Sequence, residues 1–238
     1  MTSIKLHSQY NIIKKILPNF VADGVRKIVT AFLTPIRFSI NSGHFKSSFL
    51  KKSVNKKGQA IPWYTYPCYD FLRFRDFSQS EILEFGAGQS TFWWAKNSKH
   101  VTALEGDSDW LAYLKKDIPD NATLQLVSLE NAAVCESDVE RFLETSRKQF
   151  DVLIIDGLYR SEMIRFALAY RKPTGIIICD NSDGYGFYEG FLNSGLKKVD
   201  FYGYAPGVVL PHCTTIYFSD DCSFFDNNIP TKVIVFES

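Results

Sequence analysis

The chain has 238 residues, of which 45% are apolar and 22% charged, with 20 Phe and 12 Tyr. This composition excludes a disordered chain and calls for a packed core, in one α/β domain or a domain with an added segment. Formal net charge is +1, which points to no partner by itself, but residues 1–60 hold eleven Lys/Arg against the single acid Asp23, so a segment of roughly +10 is joined to a body of about −9.

The N-terminal segment reads as helical. Residues 11–33, NIIKKILPNFVADGVRKIVTAFL, place apolar groups at helical spacing, and Pro18 is expected to separate two short helices. The most apolar stretch, IVTAFLTPI, is too short to span a membrane and contains Pro35. No signal peptide or transmembrane span is evident, and a cytoplasmic chain is expected. The basic extension over residues 1–60 is expected to pack on the body, residues 61–238. Peripheral contact with an anionic membrane surface is the alternative, and nucleic acid is not an expected partner. NSGHFKSS (41–48) suggests a substrate-side loop by its small and polar residues. In IPWYTYPCYDFL (61–72), Trp63, Tyr64 and Tyr66 either line the mouth of a site or pack the arm onto the body.

From residue 81 short apolar runs alternate with helical stretches. The runs are EILEF (81–85), VTALE (101–105), TLQLV (123–127), DVLIID (151–156), GIIICD (175–180), KKVDFYG (197–203) and TTIYFS (214–219). Between them STFWWAKNS, DWLAYLKKD, ESDVERFLETSR, SEMIRFALAYR and YGFYEGFLNSG carry helix-type spacing. Near-continuous apolar strands separated by helices predict a doubly wound α/β fold with a mostly parallel, seven-stranded sheet. Trp93 and Trp94 are expected in the core. The five cysteines form no C-x-x-C pair and the four histidines none at i, i+4, which argues against a His/Cys metal site and suits a reducing compartment.

Ligands of such sheets bind beyond the carboxyl ends of the strands, where four of these runs place an acid: Glu84, Glu105, Asp156 and Asp180. After Glu84 the turn FGAGQST offers Gly86 and Gly88 for close backbone approach, and Ser90 or Thr91 to cap the next helix. A carboxylate beside that turn disfavours pyrophosphate and suits an ammonium or hydroxyl donor. Glu105 follows Gly86 by 19 residues, near the offset at which an acid accepts from ribose hydroxyls.

EFGAGQST followed by VTALEGD resembles the first two motifs of class I S-adenosylmethionine-dependent methyltransferases. The resemblance spans about residues 62–219 and implies a Rossmann-like fold. It implies Glu84, Gly86, Gly88, Ser90 and Thr91 around the methionine part of S-adenosylmethionine, and Glu105 at its ribose. IIDG (154–157) and CDNSD (179–183) bear a narrower likeness to cation-dependent O-methyltransferases of the catechol type. That likeness implies Asp156, Asp180 and Asn181 as ligands of a divalent cation such as Mg²⁺. It departs where that family has a basic Lys, since Tyr159 and then Arg160 stand here. W-Y-x-Y-P joined to E-F-G-x-G-x-S-T and D-N-S-D also resembles a set of uncharacterised bacterial methyltransferases. The function expected is methyl transfer to a small molecule, most plausibly at oxygen, with Asp156 as first candidate for base or metal ligand, Asp180 beside it, and His212 as an alternative base. An NAD(P)-dependent oxidoreductase and a non-catalytic cofactor-binding or docking module are the other readings. Thr91 in place of a third glycine speaks against the oxidoreductase.

Overall fold

The computed structural model describes residues 18–225; residues 11–17 of the first expected helix lie outside them. The described chain opens with α1 (Asn19–Ser42), a single helix in which Pro35 is accommodated. Pro18 therefore precedes a helix, as its fixed φ and missing N–H allow. Gly43, at φ 85°, turns the chain into α2 (His44–Leu50). The expected substrate-side loop at 41–48 is thus the corner between two helices. A third short helix, α3 (Tyr66–Leu72), starts with Pro67 in its first turn.

The body follows as β1 (Phe77–Phe85), α4 (Gln89–Asn97), β2 (Ser98–Glu105), α5 (Ser108–Leu114), β3 (Ala122–Leu126), α6 (Ala132–Ser146), β4 (Phe150–Ile155), α7 (Arg160–Tyr170), β5 (Arg171–Asp180), α8 (Phe187–Phe191), β6 (Lys197–Gly203) and β7 (His212–Phe218). The sheet order is β3-β2-β1-β4-β5-β7-β6. β1 to β5 pair in parallel, and β7 runs antiparallel to both β5 and β6. This is a Rossmann-like α/β fold whose sequence reversal falls between β1 and β4, the place where such sheets open a crevice.

Period-two alternation assigns each side chain of a central strand to a face. Leu83, Phe85, Leu153 and Ile155 pack with α6, α7 and α8 in one core. Ile82, Val152 and Ile154 pack with α3 and α4 in the other. Trp94 lies in this second core, fully buried, edge-on to Phe77 at 5.0 Å and donating from Nε1 to Tyr64 Oη at 3.1 Å. Glu84 shares its face with Ile82, so the alternation that buries the strand also buries a carboxylate under α4.

The crevice floor depends on two glycines. A Cβ at Gly86, whose φ is +105°, would stand 2.8 Å from the Gly157 Cα, and a Cβ at Gly157 would stand 2.8 Å from the Gly86 Cα. The neighbours are backbone, which cannot swing aside, so the loops after β1 and β4 cross only without side chains. Gly157→Ala is expected to lower stability by about 1–3 kcal/mol, seen as a reduced midpoint in urea unfolding with an unchanged slope; a wild-type midpoint would show that the loops part without cost.

Candidate functional site

A cavity of about 480 Å³ opens at the carboxyl ends of β1, β2, β4 and β5, lined by the glycine loop, Glu105, Asp156, Asp180, Asn181 and His212. Trp63, Trp110, Arg160, Lys51 and Lys52 complete its wall. Its chemistry begins with Glu84, which has no exposure. Thr91 Oγ1 donates to Glu84 Oε2 at 2.6 Å and accepts from the Gly88 N–H at 3.0 Å. The residue standing in place of a third glycine therefore links the buried acid to the turn. Glu84 Oε1 is buried and makes no hydrogen bond of good geometry among the described residues, although the Ser90 hydroxyl lies near enough to ease its charge. Burial raises the Glu84 pKa from 4.5 to about 7, eased by Ser90 and Thr91 and increased by the charge of Glu105. A buried acceptor without a donor is costly, and here it lies next to the loop that borders the cavity.

The loop's own donors are committed. The Gly86 N–H goes to Leu104 O at 2.8 Å, the Ala87 N–H to Glu105 Oε2 at 3.0 Å, and the Gly88 N–H to Thr91. Trp110 Nε1 donates to Ala87 O at 2.8 Å. A pyrophosphate would find these three amides already spent, beside a carboxylate. Glu105 Oε1 also accepts from the Gly106 and Asp107 N–H groups at 2.7 and 2.9 Å. With about four acceptor sites on a carboxylate and three in use, Glu105 is held rigidly with room for one further donor.

The third group lies at the ends of β4 and β5. Arg160 Nη2 donates to Asp156 Oδ1 at 3.1 Å, and Arg160 Nη1 to Asn181 Oδ1 at 2.9 Å. Asn181 adopts φ 52°, a left-handed conformation that Asn tolerates. Burial first, then the Asp180 and Glu84 carboxylates, raise the Asp156 pKa, with Arg160 opposing. The expected cation ligands Asp156, Asp180 and Asn181 converge, and a guanidinium bridges two of them. A divalent ion placed there would meet a fixed positive charge. Among the described residues no cluster of three or more His, Cys, Asp or Glu has the makings of a metal site. The donor set does not fit a cation, and no step is derived through one.

Asp180 is instead paired with His212. Thr214 Oγ1 donates to Asp180 Oδ1 at 2.7 Å and itself accepts from the Thr65 N–H at 3.0 Å. His212 Nε2 stands 3.5 Å from the same Oδ1. That approach misses hydrogen-bond geometry, since Nε2 has no hydrogen-bond partner among the described residues; it is an ion contact that protonation strengthens. The short-range contact with Asp180 is the largest cause raising the His212 pKa, partial burial opposes it, and the charges of Asp180 and Asp183 add to the rise.

The structure thus brings Gly86, Gly88, Ser90, Glu105, Asp156, Asp180, Asn181 and His212 to one crevice, with Glu84 and Thr91 buried behind the loop and outside the cavity lining. Of the three aromatics left open between mouth and packing, Trp63 lines the cavity and donates from Nε1 to Pro206 O at 2.6 Å. Tyr64 and Tyr66 are buried, and Tyr66 meets Phe38 of α1 edge-on at 5.3 Å. Trp110, Arg160, Thr214, Lys51 and Lys52 carry site contacts that the sequence reading assigned no role.

No family profile matches the sequence, and no curated protein matches it. Solved structures that resemble it include a methyltransferase from Pyrococcus furiosus, at 18% identity over 74% of this chain and 93% of that one, with a TM-score of 0.46. A methyltransferase-like protein from Silicibacter pomeroyi has 18% identity over 68% and 90%, TM-score 0.45. The T. thermophilus 16S rRNA N2 G1207 methyltransferase, in complex with AdoMet and guanosine, has 15% identity over 64% and 41%, TM-score 0.46. Likenesses at this level identify neither ligand nor reaction, and the fold rests on the strand order itself.

Between pH 4.5 and about 7 the native Glu84 keeps a proton that the unfolded chain has lost. Stability therefore falls as pH rises through that interval, and the penalty, about 3 kcal/mol for a shift of this size, is fully present above it. Glu84→Gln is expected to match or exceed the thermal stability of the ligand-free chain at pH 8, with the advantage gone at pH 5. A lower melting temperature for the variant at pH 8 would mean the carboxylate is satisfied in the fold.

Proposed function

We propose that the chain is an S-adenosylmethionine-dependent methyltransferase acting on a hydroxyl of a small molecule. The observation carrying this is a cavity bordered by Glu105 and by a glycine loop whose amides are spent, with the Glu84 carboxylate and its unpaired Oε1 buried beneath that loop. Such a pocket wants a cation with N–H donors and repels phosphate. An α-ammonium group answers it, and the one remaining acceptor position on Glu105 suits a ribose hydroxyl. Trp110, pinned to the loop, presents an aromatic surface to the same cavity. The resemblance of EFGAGQST and VTALEGD to the methyltransferase motifs supports the same ligand. S-adenosylmethionine, when bound, supplies a methyl already electrophilic on its sulfonium.

The protein has then to place an acceptor oxygen and take its proton. His212 is the group suited to this. Asp180, braced by Thr214 and through it by Thr65, holds the imidazole and stabilises its protonated form, as the raised pKa reflects. Nδ1 of the ring is left for the substrate hydroxyl. Asp156, the first candidate from sequence, serves with Arg160 as a fixed ion pair shaping the wall. Trp63 and the Arg160 pair narrow access for water.

Titration calorimetry should show S-adenosylmethionine binding with affinity that falls roughly tenfold per pH unit below about 7, as Glu84 holds its proton, and with net proton release on binding. Glu84→Gln should weaken the binding and abolish the pH dependence. Tight binding of NAD(H) with none of S-adenosylmethionine would sink the proposal. Across a panel of hydroxyl acceptors, with S-adenosylhomocysteine as readout, kcat should rise with pH through the elevated His212 pKa. His212→Gln should remove that limb and lower kcat on the order of a hundredfold or more while leaving S-adenosylmethionine affinity intact.

A further inference from the structure

α1 and α2 present a surface that the body does not use. Along α1 the polar positions Asp23, Arg26, Lys27, Thr30, Thr34 and Arg37 recur at helical spacing and fall on one side. Ile28, Phe32, Leu33, Ile36 and Ile40 occupy the other, and all are exposed, Phe32 by 70% and Ile36 by 58%. The helix meets the body through Phe38, edge-on to Tyr66. α2 extends the apolar side. Phe45 and Phe49 lie 4.7 Å apart and, with Ile40 and Leu50, form a groove of about 300 Å³ that also has Lys46 and Lys56 in its lining. Exposed patches of this size are uncommon on a free surface.

The relation of α2 to the body is fixed. A Cβ at Gly43 would lie 2.3 Å from Val54 O. Ser47 Oγ donates to Val54 O at 3.0 Å and accepts from the Val54 N–H at 3.1 Å, and the Gly207 N–H approaches His44 Nδ1 at 3.3 Å. The apolar side of α2 is therefore held outward by these contacts, while α1 over residues 26–36 is exposed all round.

We propose that this face is a membrane-docking surface that lies in the headgroup region of an anionic phospholipid bilayer. Charge selects the occupant. Residues 18–60 carry eight Lys/Arg and one acid, so a second copy seated face to face would set like charge against like. Nucleic acid would answer the charge but gain nothing from Ile28, Phe32 and Ile36. An anionic lipid surface answers both, with apolar side chains in the acyl boundary and lysines at the phosphates. No described helix is long and apolar enough to cross a membrane, so the helix lies on the bilayer. Lys51 and Lys52, at the end of α2, line the catalytic cavity, so docking sets the cavity mouth close to the lipid surface. This inference stands on the arm alone and survives failure of the methyltransferase reading.

The test is flotation of the full chain with vesicles of phosphatidylcholine alone or with about a third phosphatidylglycerol, beside light scattering for mass. The chain is expected to float with the anionic vesicles, remain soluble with the neutral ones, and be monomeric. Phe32→Glu with Ile36→Glu, both at exposed positions, should lower partitioning at least about tenfold. Lys46→Ala with Lys56→Ala should lower it about fivefold per lysine, with unchanged melting temperature. Wild-type binding by both variants, or no flotation of the wild type, would overturn the proposal. So would a dimer dissociated by Phe32→Glu, which would make the face a self-association surface, or salt-sensitive RNA binding in place of flotation.

Discussion

Everything at the ligand end of this molecule depends on two backbones touching. Where the loops after β1 and β4 cross, Gly86 and Gly157 come so close that neither position has room for a Cβ. The crossing lets the strands run to their ends in full register, Phe85 opposite Ile155, before the chain turns away on either side. Glu84 is thereby fixed beneath one loop and Asp156 at the root of the other. A side chain at either position would spread the strand ends and separate the acids that define the crevice.

Glu84, Asp156 and Asp180 lie close enough to repel one another, and the structure handles that repulsion in three ways. Glu84 keeps a proton to higher pH. Asp156 is neutralised by Arg160, which the sequence supplies one turn along, at the start of α7. Asp180 is satisfied by a threonine from β7 and raises the imidazole beside it. The Arg160 guanidinium cannot be displaced without breaking hydrogen bonds to both Asp156 and Asn181.

The sheet was legible because its strands are buried on both faces and so read as unbroken apolar runs. KKVDFYG at 197–203 coincides with β6, and β3, β4 and β7 differ from expectation by one or two residues at each end. β1 starts four residues early because its first part, FSQS, has three polar residues in four and breaks register between Phe77 and Glu81. YGFYEGFLNSG shortened to five helical residues, since three glycines leave little to hold a helix. α3 went unseen because seven residues mixing aromatics with Cys and Pro show no clear period. In the site, the acids at strand ends were visible as position plus residue type. Trp110 and Thr214 were invisible, because their roles come from contacts with Ala87 and Asp180 that no local pattern encodes. Arg160 was noticed only as a departure from a motif, and its function required seeing where the guanidinium points.

Glu84 has a consequence for the life of the chain in a cell. A folded protein that keeps an unpaired buried carboxylate has a reduced margin against unfolding, and any ligand that pairs with that oxygen restores the margin only for molecules it occupies. Since the unfolded chain offers no such pocket, occupancy and survival against proteolysis rise together. On the proposed reading, the residue that favours the ligand also ties the abundance of the protein to the supply of that ligand.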